Sequence, residues 1–192
     1  DFDRWAHDVL HAHAQFQVLC ALRAGPWGVE GLNLRITALL HAETLIAPRG
    51  EWYLGRPVLV TRNDAALGLM NGDVGVTLYA PADPVQSAGY VLRVAFADGR
   101  GGIRWVLPSR LQAVETVYAM TVHKSQGSEF THTALVLPPT LSPILTRELI
   151  YTGITRARQW FTWASAGRED FIAKQAIGRR VVRASGLRTS DS

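Results

Sequence analysis

The sequence predicts an α/β protein whose parallel sheet is interrupted by a small inserted β-barrel. Residues 16–43 have the pattern of a buried strand, a loop and a helix, which is the repeating unit of such a sheet. Residues 53–113 instead carry short β-prone runs separated by turn signals. Strands and helices alternate again from residue 114, so the barrel interrupts the α/β domain rather than following it.

The first half of the α/β domain is predicted to span residues 1–52, with a helix over residues 1–14. Apolar residues recur there at helical spacing, namely Phe2, Trp5, Val9 and Leu10. His7 and His11 are four residues apart on that helix, but no complete ligand shell accompanies them, so we predict no metal site. The apolar run Phe16–Leu22 predicts a buried strand, and residues 29–43 predict the helix that follows it.

Residues 53–113 are predicted to form the barrel. Asn71-Gly72 and Asp98-Gly99 are turn signals of the kind that favour tight hairpins. The predicted strands are 56–61, 74–79, 90–96 and 103–107. The second half of the α/β domain, residues 114–180, follows with strands at 117–122, 133–137 and 160–164 and helices at 146–158 and 168–177. The polar tail 181–192 is predicted to be flexible.

The composition is that of an ordinary globular protein. Of its 192 residues 47% are hydrophobic and 19% are charged, and the net charge of +4 favours a polyanionic partner only weakly. The single cysteine, Cys20, excludes an internal disulfide, and no segment reaches the ~20 apolar residues that cross a bilayer. We expect a cytoplasmic protein with no membrane partner, and the start at Asp1 suggests a domain of a longer chain.

Two segments carry the candidate chemistry. Thr121–Phe130 places hydroxyls, an imidazole, an ammonium and a glycine after a strand, where open α/β sheets bind ligands. These groups suit contacts to a phosphodiester backbone, although a solvated loop has the same composition. The helix predicted from Thr146 places Arg156 and Arg158 about 200° apart, so only one of them can address a given ligand.

The sequence contains no phosphate-binding Gly-x-x-x-x-Gly-Lys-Ser/Thr loop. Its only lysines are Lys124 and Lys174, and neither follows a glycine. If the chain acts on a nucleoside triphosphate, the phosphate cradle must therefore lie on another polypeptide segment.

Residues Ala119–Phe130 and Leu149–Arg158 resemble the last two motifs of a superfamily 1 helicase. With them, the chain resembles the C-terminal motor region of the alpha subunit (RecD) of RecBCD-type exodeoxyribonucleases V, which are superfamily 1B helicases. Further blocks that carry the resemblance are Val18–Gly28, Gly31–Asn33, Gly55–Val58, Thr61–Asp64, Gly68–Gly75 and Pro108–Leu111.

This resemblance implies a RecA-like domain (2A) without its own P-loop and an SH3-like barrel (2B). It implies an ATP-dependent 5′ to 3′ DNA helicase that uses ATP with Mg²⁺, held mainly by an N-terminal RecA-like domain. The implied partners are single-stranded DNA, that N-terminal motor domain and RecB- and RecC-type subunits. No nuclease constellation is present in the sequence, and the isolated fragment is expected to be inactive.

The resemblance also implies roles for individual residues. Arg156 matches the arginine finger that reaches the γ-phosphate, and is the implied catalytic residue. The implied nucleotide-binding residues are Arg156, Arg23, Gly127 and Glu129. The implied DNA-binding residues are Arg62, Asn63, Thr121, His123, Lys124 and Ser125. In the barrel, Tyr79, Phe96 and Trp105 are candidates for stacking on bases.

Two alternatives stay open. In the first, the parent protein is a stand-alone RecD-like or relaxase-type superfamily 1B helicase. In the second, the chain is a non-catalytic module that binds DNA or a subunit. The presence of both Arg156 and Glu129 argues against the second, because a scaffold has no use for a γ-phosphate arginine.

Overall fold

The computed structural model describes residues 2–82, 89–165 and 169–179. The helices are α1 (Phe2–His13), α2 (Val29–Ala42), α3 (Arg147–Ile154) and α4 (Glu169–Gly178), with a 3₁₀ turn at Pro108–Arg110. The strands are β1 (Phe16–Cys20), β2 (Pro57–Val60), β3 (Val74–Pro81), β4 (Tyr90–Ala97), β5 (Ile103–Val106), β6 (Val114–Thr116), β7 (Ala119–Thr121), β8 (Phe130–Leu137) and β9 (Ala157–Ser165). The tail predicted for residues 181–192 lies outside the described residues.

Four strands form a parallel sheet in the order β7-β1-β8-β9, as the α/β pattern predicts. The strands are short apolar runs because helices cover both faces of the sheet. On one face Leu19 and Leu135 pack with Ile150 of α3. On the other face Cys20 packs with Leu32 of α2. The ends of these strands are therefore the accessible parts of the sheet.

The free edge of β7 is covered by a side chain. Asn33 of α2 is buried, and its Nδ2 donates to the carbonyl oxygen of Ala119 (3.0 Å) while its Oδ1 accepts from the Ala119 amide (3.0 Å). The carboxamide thus makes the pair of hydrogen bonds that a neighbouring strand would make. α2 is thereby fixed against the strand that precedes the 122–129 segment.

Five strands form a second, antiparallel sheet in the order β5-β4-β3-β2-β6. One face packs against α1, where Ala6 is fully buried against Val76 and Leu78. The other face has its own apolar cluster around Val58 and Phe96. The predicted strands of the inserted region are confirmed. Among the described residues no pairing joins the edge strands β5 and β6, so closure into a barrel remains a prediction.

Two predictions of local structure are wrong. The helix predicted over 146–158 begins correctly, because the hydroxyl oxygen of Thr146 accepts from the amide of Leu149 (3.2 Å), but it ends at Ile154. Residue 157 already belongs to β9, whose pairing with β8 competes successfully with continuation of the helix. Asn71-Gly72 forms the predicted turn, in which the Asp73 amide donates to the Met70 carbonyl oxygen (3.0 Å), but this turn ends the long 61–73 loop between β2 and β3 and is not a tight hairpin.

Asp98-Gly99 behaves as predicted and turns the chain between β4 and β5. The Asp98 carboxylate accepts from the amides of Arg100 (2.7 Å) and Gly102 (2.8 Å), and these hydrogen bonds lower the pKa of that carboxyl.

Among the described residues, no helix combines the length and apolar character required to cross a membrane.

Candidate functional site

The segment between β7 and β8, residues 122–129, runs from one edge of the parallel sheet to the other. β7 ends at Thr121 and β8 begins at Phe130, and both strands are parallel to β1. Parallel strands all begin at one edge and end at the other. Thr121 therefore lies at the carboxyl edge, as predicted, whereas Glu129 lies at the amino edge.

The first half of this segment is a compact turn. The Thr121 hydroxyl oxygen accepts from the Lys124 amide (3.1 Å), and the Thr121 carbonyl oxygen accepts from the Ser125 amide (3.2 Å). His123 and Lys124 are exposed. The structure does not support the predicted contact of Ser125 with DNA. Ser125 is fully buried, and its hydroxyl donates to the Val122 carbonyl oxygen (2.7 Å). Ser125 stabilises the turn and offers no surface to a ligand.

Gly127 allows the segment to leave this turn. Its φ of +87° lies in the left-handed region, and an added Cβ would meet no heavy atom within 4 Å. The requirement for glycine at this position therefore comes from the backbone conformation and not from crowding.

Gly127→Ala is expected to lower the free energy of unfolding by about 1–2 kcal/mol, the cost of a left-handed non-glycine residue. Urea denaturation followed by circular dichroism measures the change. Gly178→Ala is the matched control, because Gly178 also has open space around it and has no left-handed φ. Equal stability of the two variants would contradict the assignment.

Arg156 lies immediately before β9, at the amino edge of the sheet and not on a helix. Its guanidinium donates to the carbonyl oxygens of Thr152 (3.2 Å) and Ser128 (3.1 Å) and to the hydroxyl of Thr155 (3.3 Å). Its own carbonyl oxygen accepts from the Phe130 amide (2.8 Å). These contacts join the end of α3 to the end of the 122–129 segment.

The guanidinium of Arg156 is hydrogen-bonded only to neutral groups among the described residues. Within the described ranges no carboxylate lies in ion-pair distance of its guanidinium, and the residue is half-buried. Carbonyl oxygens orient a guanidinium without neutralising it, so the charge stays available to an anion.

Arg158 lies on β9 and forms an ion pair with Glu129, with 3.0 Å between Nε and Oε2. The argument that the two arginines lie about 200° apart on one helix is therefore wrong, because neither belongs to α3. The two arginines nevertheless differ in their surroundings, since Arg158 has a carboxylate partner and Arg156 has none in the described part of the chain. Both partners of the pair are more than half exposed, so it adds at most about 1 kcal/mol of stability.

Arg23 lies beyond the carboxyl end of β1 and forms an ion pair with Glu115 of β6 (3.0 Å). Cys20 is in register with Val136, which pairs with Ala164, whereas Arg156 precedes the first residue of β9. The strand topology thus places the backbones of Arg23 and Arg156 at opposite edges. The structure does not bring these two predicted nucleotide-binding residues together.

Two of the predicted DNA-binding residues, Asn63 and Lys124, are joined through a third residue that we did not predict, Asn71. Lys124 Nζ donates to Asn71 Oδ1 (3.2 Å), and the Asn71 amide donates to Asn63 Oδ1 (2.7 Å). Arg62 is exposed beside Asn63. Asn71 was not predicted as a functional residue, because the Asn-Gly pair was interpreted only as a turn signal. Nothing in the sequence indicated that Glu115 is the partner of Arg23.

The aromatic candidates for base stacking fall into different environments. Phe96 is buried and excluded from such a role. Trp105 donates from its indole nitrogen to Asp3 of α1 (2.7 Å), which fixes it beneath that helix. Tyr79 is 45% exposed and lines a surface depression with Phe2, Trp5 and Tyr90.

Comparison with known proteins agrees with the helicase resemblance. Residues 116–162 match the family of UvrD-like helicase C-terminal domains. The chain is 45% identical to the RecBCD enzyme subunit RecD of Mycobacterium tuberculosis over 91% of this chain and 28% of that protein. It is 41% identical to the RecD subunit of Haemophilus influenzae over 88% of this chain and 24% of that protein. It is 35% identical to the ATP-dependent RecD2 DNA helicase of Deinococcus radiodurans over 89% of this chain and 22% of that protein.

The chain thus spans about a quarter of the length of these relatives. Among solved structures, Pif1 helicase from Bacteroides in complex with ADP-AlF3 and single-stranded DNA matches 90% of this chain and 47% of that chain, with a TM-score of 0.47 and 19% identity. Over about nine tenths of its own length the chain is therefore homologous to RecD proteins, and its residues 116–162 match the family of UvrD-like helicase C-terminal domains.

Proposed function

We propose that this chain is the C-terminal half of the motor of an ATP-dependent 5′ to 3′ DNA helicase, in which Arg156 is the arginine finger. The observation that carries the proposal is the guanidinium of Arg156, which donates to three neutral oxygens and is partly exposed to solvent. Incoming phosphate oxygens would meet an oriented guanidinium whose charge is not neutralised by a carboxylate of the described residues. The homology to RecD and RecD2 proteins supports this function.

The nucleotide would bind between the amino edge of this sheet and a preceding RecA-like domain. That domain would hold ATP with Mg²⁺, since this chain has no P-loop. Arg156 would stabilise the charge on the transferring phosphoryl group. Gly127 and Glu129 lie at the same edge and are the further nucleotide-binding candidates. Arg23 remains a weaker candidate, because it would first have to leave Glu115.

The DNA side would lie at the other end of the 122–129 segment. Thr121, His123 and Lys124 lie there, and Asn71 connects Lys124 to Asn63, which has the exposed Arg62 beside it in sequence. One segment would thus contact the nucleotide through residues near Glu129 and the DNA through residues near Lys124. Closure of the cleft on ATP and its release after hydrolysis would then move the DNA contacts.

The domain limits follow from the same proposal. Residues 1–52 and 114–180 would form the RecA-like domain 2A, and residues 53–113 the SH3-like domain 2B, except that β6 (Val114–Thr116) pairs with β2 and so extends the inserted part by three residues. The order of the two sheets along the chain supports an insertion, because β2 to β6 lie between β1 and β7. α1 packs on the inserted sheet, so it connects the two parts as well as beginning the first.

The parent protein would act in recombination and double-strand-break repair, with RecB- and RecC-type subunits as partners. The RecD subunits from Mycobacterium tuberculosis and Haemophilus influenzae support that setting. The similarity to the RecD2 helicase of Deinococcus radiodurans supports a stand-alone helicase as the second candidate. Co-purification of the native parent protein distinguishes them, because a complex subunit carries two large partners and a stand-alone helicase carries none.

The purified 192-residue chain is expected to show no DNA-stimulated ATP hydrolysis, because the phosphate cradle is missing from it. A coupled assay with and without oligo(dT) measures the rate, and the full-length parent protein serves as the positive control. Steady DNA-dependent turnover by the 192-residue chain would refute the division of labour between the two motor domains. No turnover or unwinding by the full-length protein would refute the proposed function itself.

A further inference from the structure

The loop between β2 and β3, residues 61–73, is hydrogen-bonded to the 122–129 segment. Lys124 Nζ lies 3.2 Å from Asn71 Oδ1, and the Asn71 amide lies 2.7 Å from Asn63 Oδ1. The loop belongs to the antiparallel sheet, and Lys124 follows a strand of the parallel sheet. Asn71 is therefore the residue through which the two sheets share one exposed polar surface.

The 61–73 loop is held in place by buried side chains and by its own hydrogen bonds. Leu67 and Leu69 are buried in the core of the antiparallel sheet. Asp64 Oδ1 accepts from the Leu67 amide (3.0 Å), and Asp73 Oδ2 accepts from the Met70 amide (2.8 Å). Arg104 of β5 donates to the carbonyl oxygen of Gly68. These contacts hold the tip of the loop, residues 70–72, in one position.

The charged side chains that are exposed on this surface are cations, whereas its carboxylates are partly buried. Arg62, His123 and Lys124 are exposed, and within the described ranges none of them forms an ion pair. The two carboxylates of the loop, Asp64 and Asp73, accept hydrogen bonds from the loop's own amides and are only partly exposed. A polyanion approaching the loop tip would meet cations and amide groups first.

Met70 adds an apolar group to the same surface. It is 65% exposed and directly precedes Asn71 at the tip of the loop. A flexible, polarisable thioether suits contact with a flat aromatic ring. Cations and amides beside an exposed apolar side chain fit a ligand with both phosphates and unstacked bases, which is a single-stranded nucleic acid.

We propose that Asn71 positions Lys124 against the phosphate backbone of single-stranded DNA, while Met70 contacts a base of the same strand. This inference deepens the proposed function and rests on it, because Lys124 is there assigned to DNA. It adds two residues to the DNA-binding surface and a physical link between the inserted sheet and the 122–129 segment. Through that link, a movement of the segment would be transmitted to the loop.

The role of Asn71 is tested by fluorescence anisotropy of oligo(dT) with the 192-residue chain at several salt concentrations. Asn71→Ala is expected to weaken binding about fivefold and to lower the salt slope by up to ~0.7, the value of one single-strand phosphate contact. In a Lys124→Ala background the same substitution is expected to have less than about a twofold effect, since coupled residues are not additive. Asn71→Asp keeps an acceptor for Lys124 but neutralises its charge, and is expected to bind more weakly than Asn71→Ala.

The role of Met70 is tested in the same assay. Met70→Ala is expected to weaken binding about fivefold with an unchanged salt slope, because it removes an apolar contact and no charge. Met70→Leu is expected to restore most of the affinity. Leu39→Ala is the matched control, since Leu39 is equally exposed (65%) but lies on α2.

The outcomes separate this inference from the proposed function. Wild-type affinity in Asn71→Asp, or additive effects of Asn71→Ala and Lys124→Ala, would overturn the positioning role of Asn71. A Met70→Ala protein that binds like Leu39→Ala would overturn the base contact. If Lys124→Ala weakens binding while these variants do not, the proposed DNA site stands and this inference fails. If the wild-type chain does not bind oligo(dT) at all, both fail.

Discussion

Replacing Arg156 with alanine in the full-length parent protein is expected to lower DNA-stimulated ATP hydrolysis by about 10³–10⁵-fold, the range for arginine fingers in related NTPases. The physical reason is the loss of a cation that is positioned in advance of the reaction. Its three neutral acceptors fix the guanidinium beside the 122–129 segment without neutralising it. No reorganisation of solvent is then needed when charge develops on the phosphoryl oxygens.

Steady-state hydrolysis at saturating oligo(dT) measures this effect, and anisotropy at matched salt measures DNA affinity in parallel. The affinity for DNA is expected to change less than about threefold, since no phosphodiester contact is removed. Arg35→Ala is the matched control, because it also removes one exposed guanidinium, which on α2 lies over the ring of Trp27. Normal ATP hydrolysis by Arg156→Ala would disprove the role assigned to Arg156. The same conclusion would follow if the variant lost its affinity for DNA while its DNA-bound fraction hydrolysed ATP at the normal rate.

Asn33→Ala is expected to lower the free energy of unfolding by about 2–5 kcal/mol, because it leaves buried polar groups without partners. The Asn33 carboxamide satisfies both the amide and the carbonyl oxygen of Ala119, each at 3.0 Å. It also donates to the carbonyl oxygen of Val29 (2.9 Å). Against a typical total stability of about 5–15 kcal/mol, this single substitution threatens the folded state.

Urea denaturation of the 192-residue chain, followed by circular dichroism, measures the change. Asn33→Asp is expected to be destabilising as well, because a carboxylate cannot donate to the two carbonyl oxygens. Leu34→Ala is the control on the same helix, and its effect is expected to stay within about 0.5 kcal/mol, since Leu34 is 73% exposed. Equal stability of Asn33→Ala and Leu34→Ala would show that the Asn33 side chain does not complete the edge of β7.

Much of the fold was predictable because its signals are local. A short apolar run such as Phe16–Leu22 can only be a buried segment, and the glycine and proline after it require the chain to turn. The end of α3 was not predictable in this way. Residues 155–158 continue a helical pattern, but pairing of β9 with β8 competes for the same backbone groups, and that competition is decided by a distant strand.

The candidate site was predictable in its residue types and only partly in its arrangement. The 122–129 segment and Arg156 were identified from motif resemblance, and the structure places them in contact through Ser128. Arg23 could not be separated from Arg156 by sequence, because the edge at which a residue lies depends on strand direction. Ser125 was misassigned for a similar reason, since a hydroxyl next to a lysine in sequence can point inward.

The sequence by itself determined the two kinds of sheet, the absence of a phosphate-binding loop and the motifs that carry the helicase resemblance. These depend on periodicity, turn residues and the order of residues along the chain. Only the tertiary structure decided which arginine lacks a carboxylate in the described residues, and that Asn71 joins Lys124 to the 61–73 loop. Ion pairs and hydrogen bonds between residues far apart in sequence form only after strand register and helix packing have fixed the distances between them.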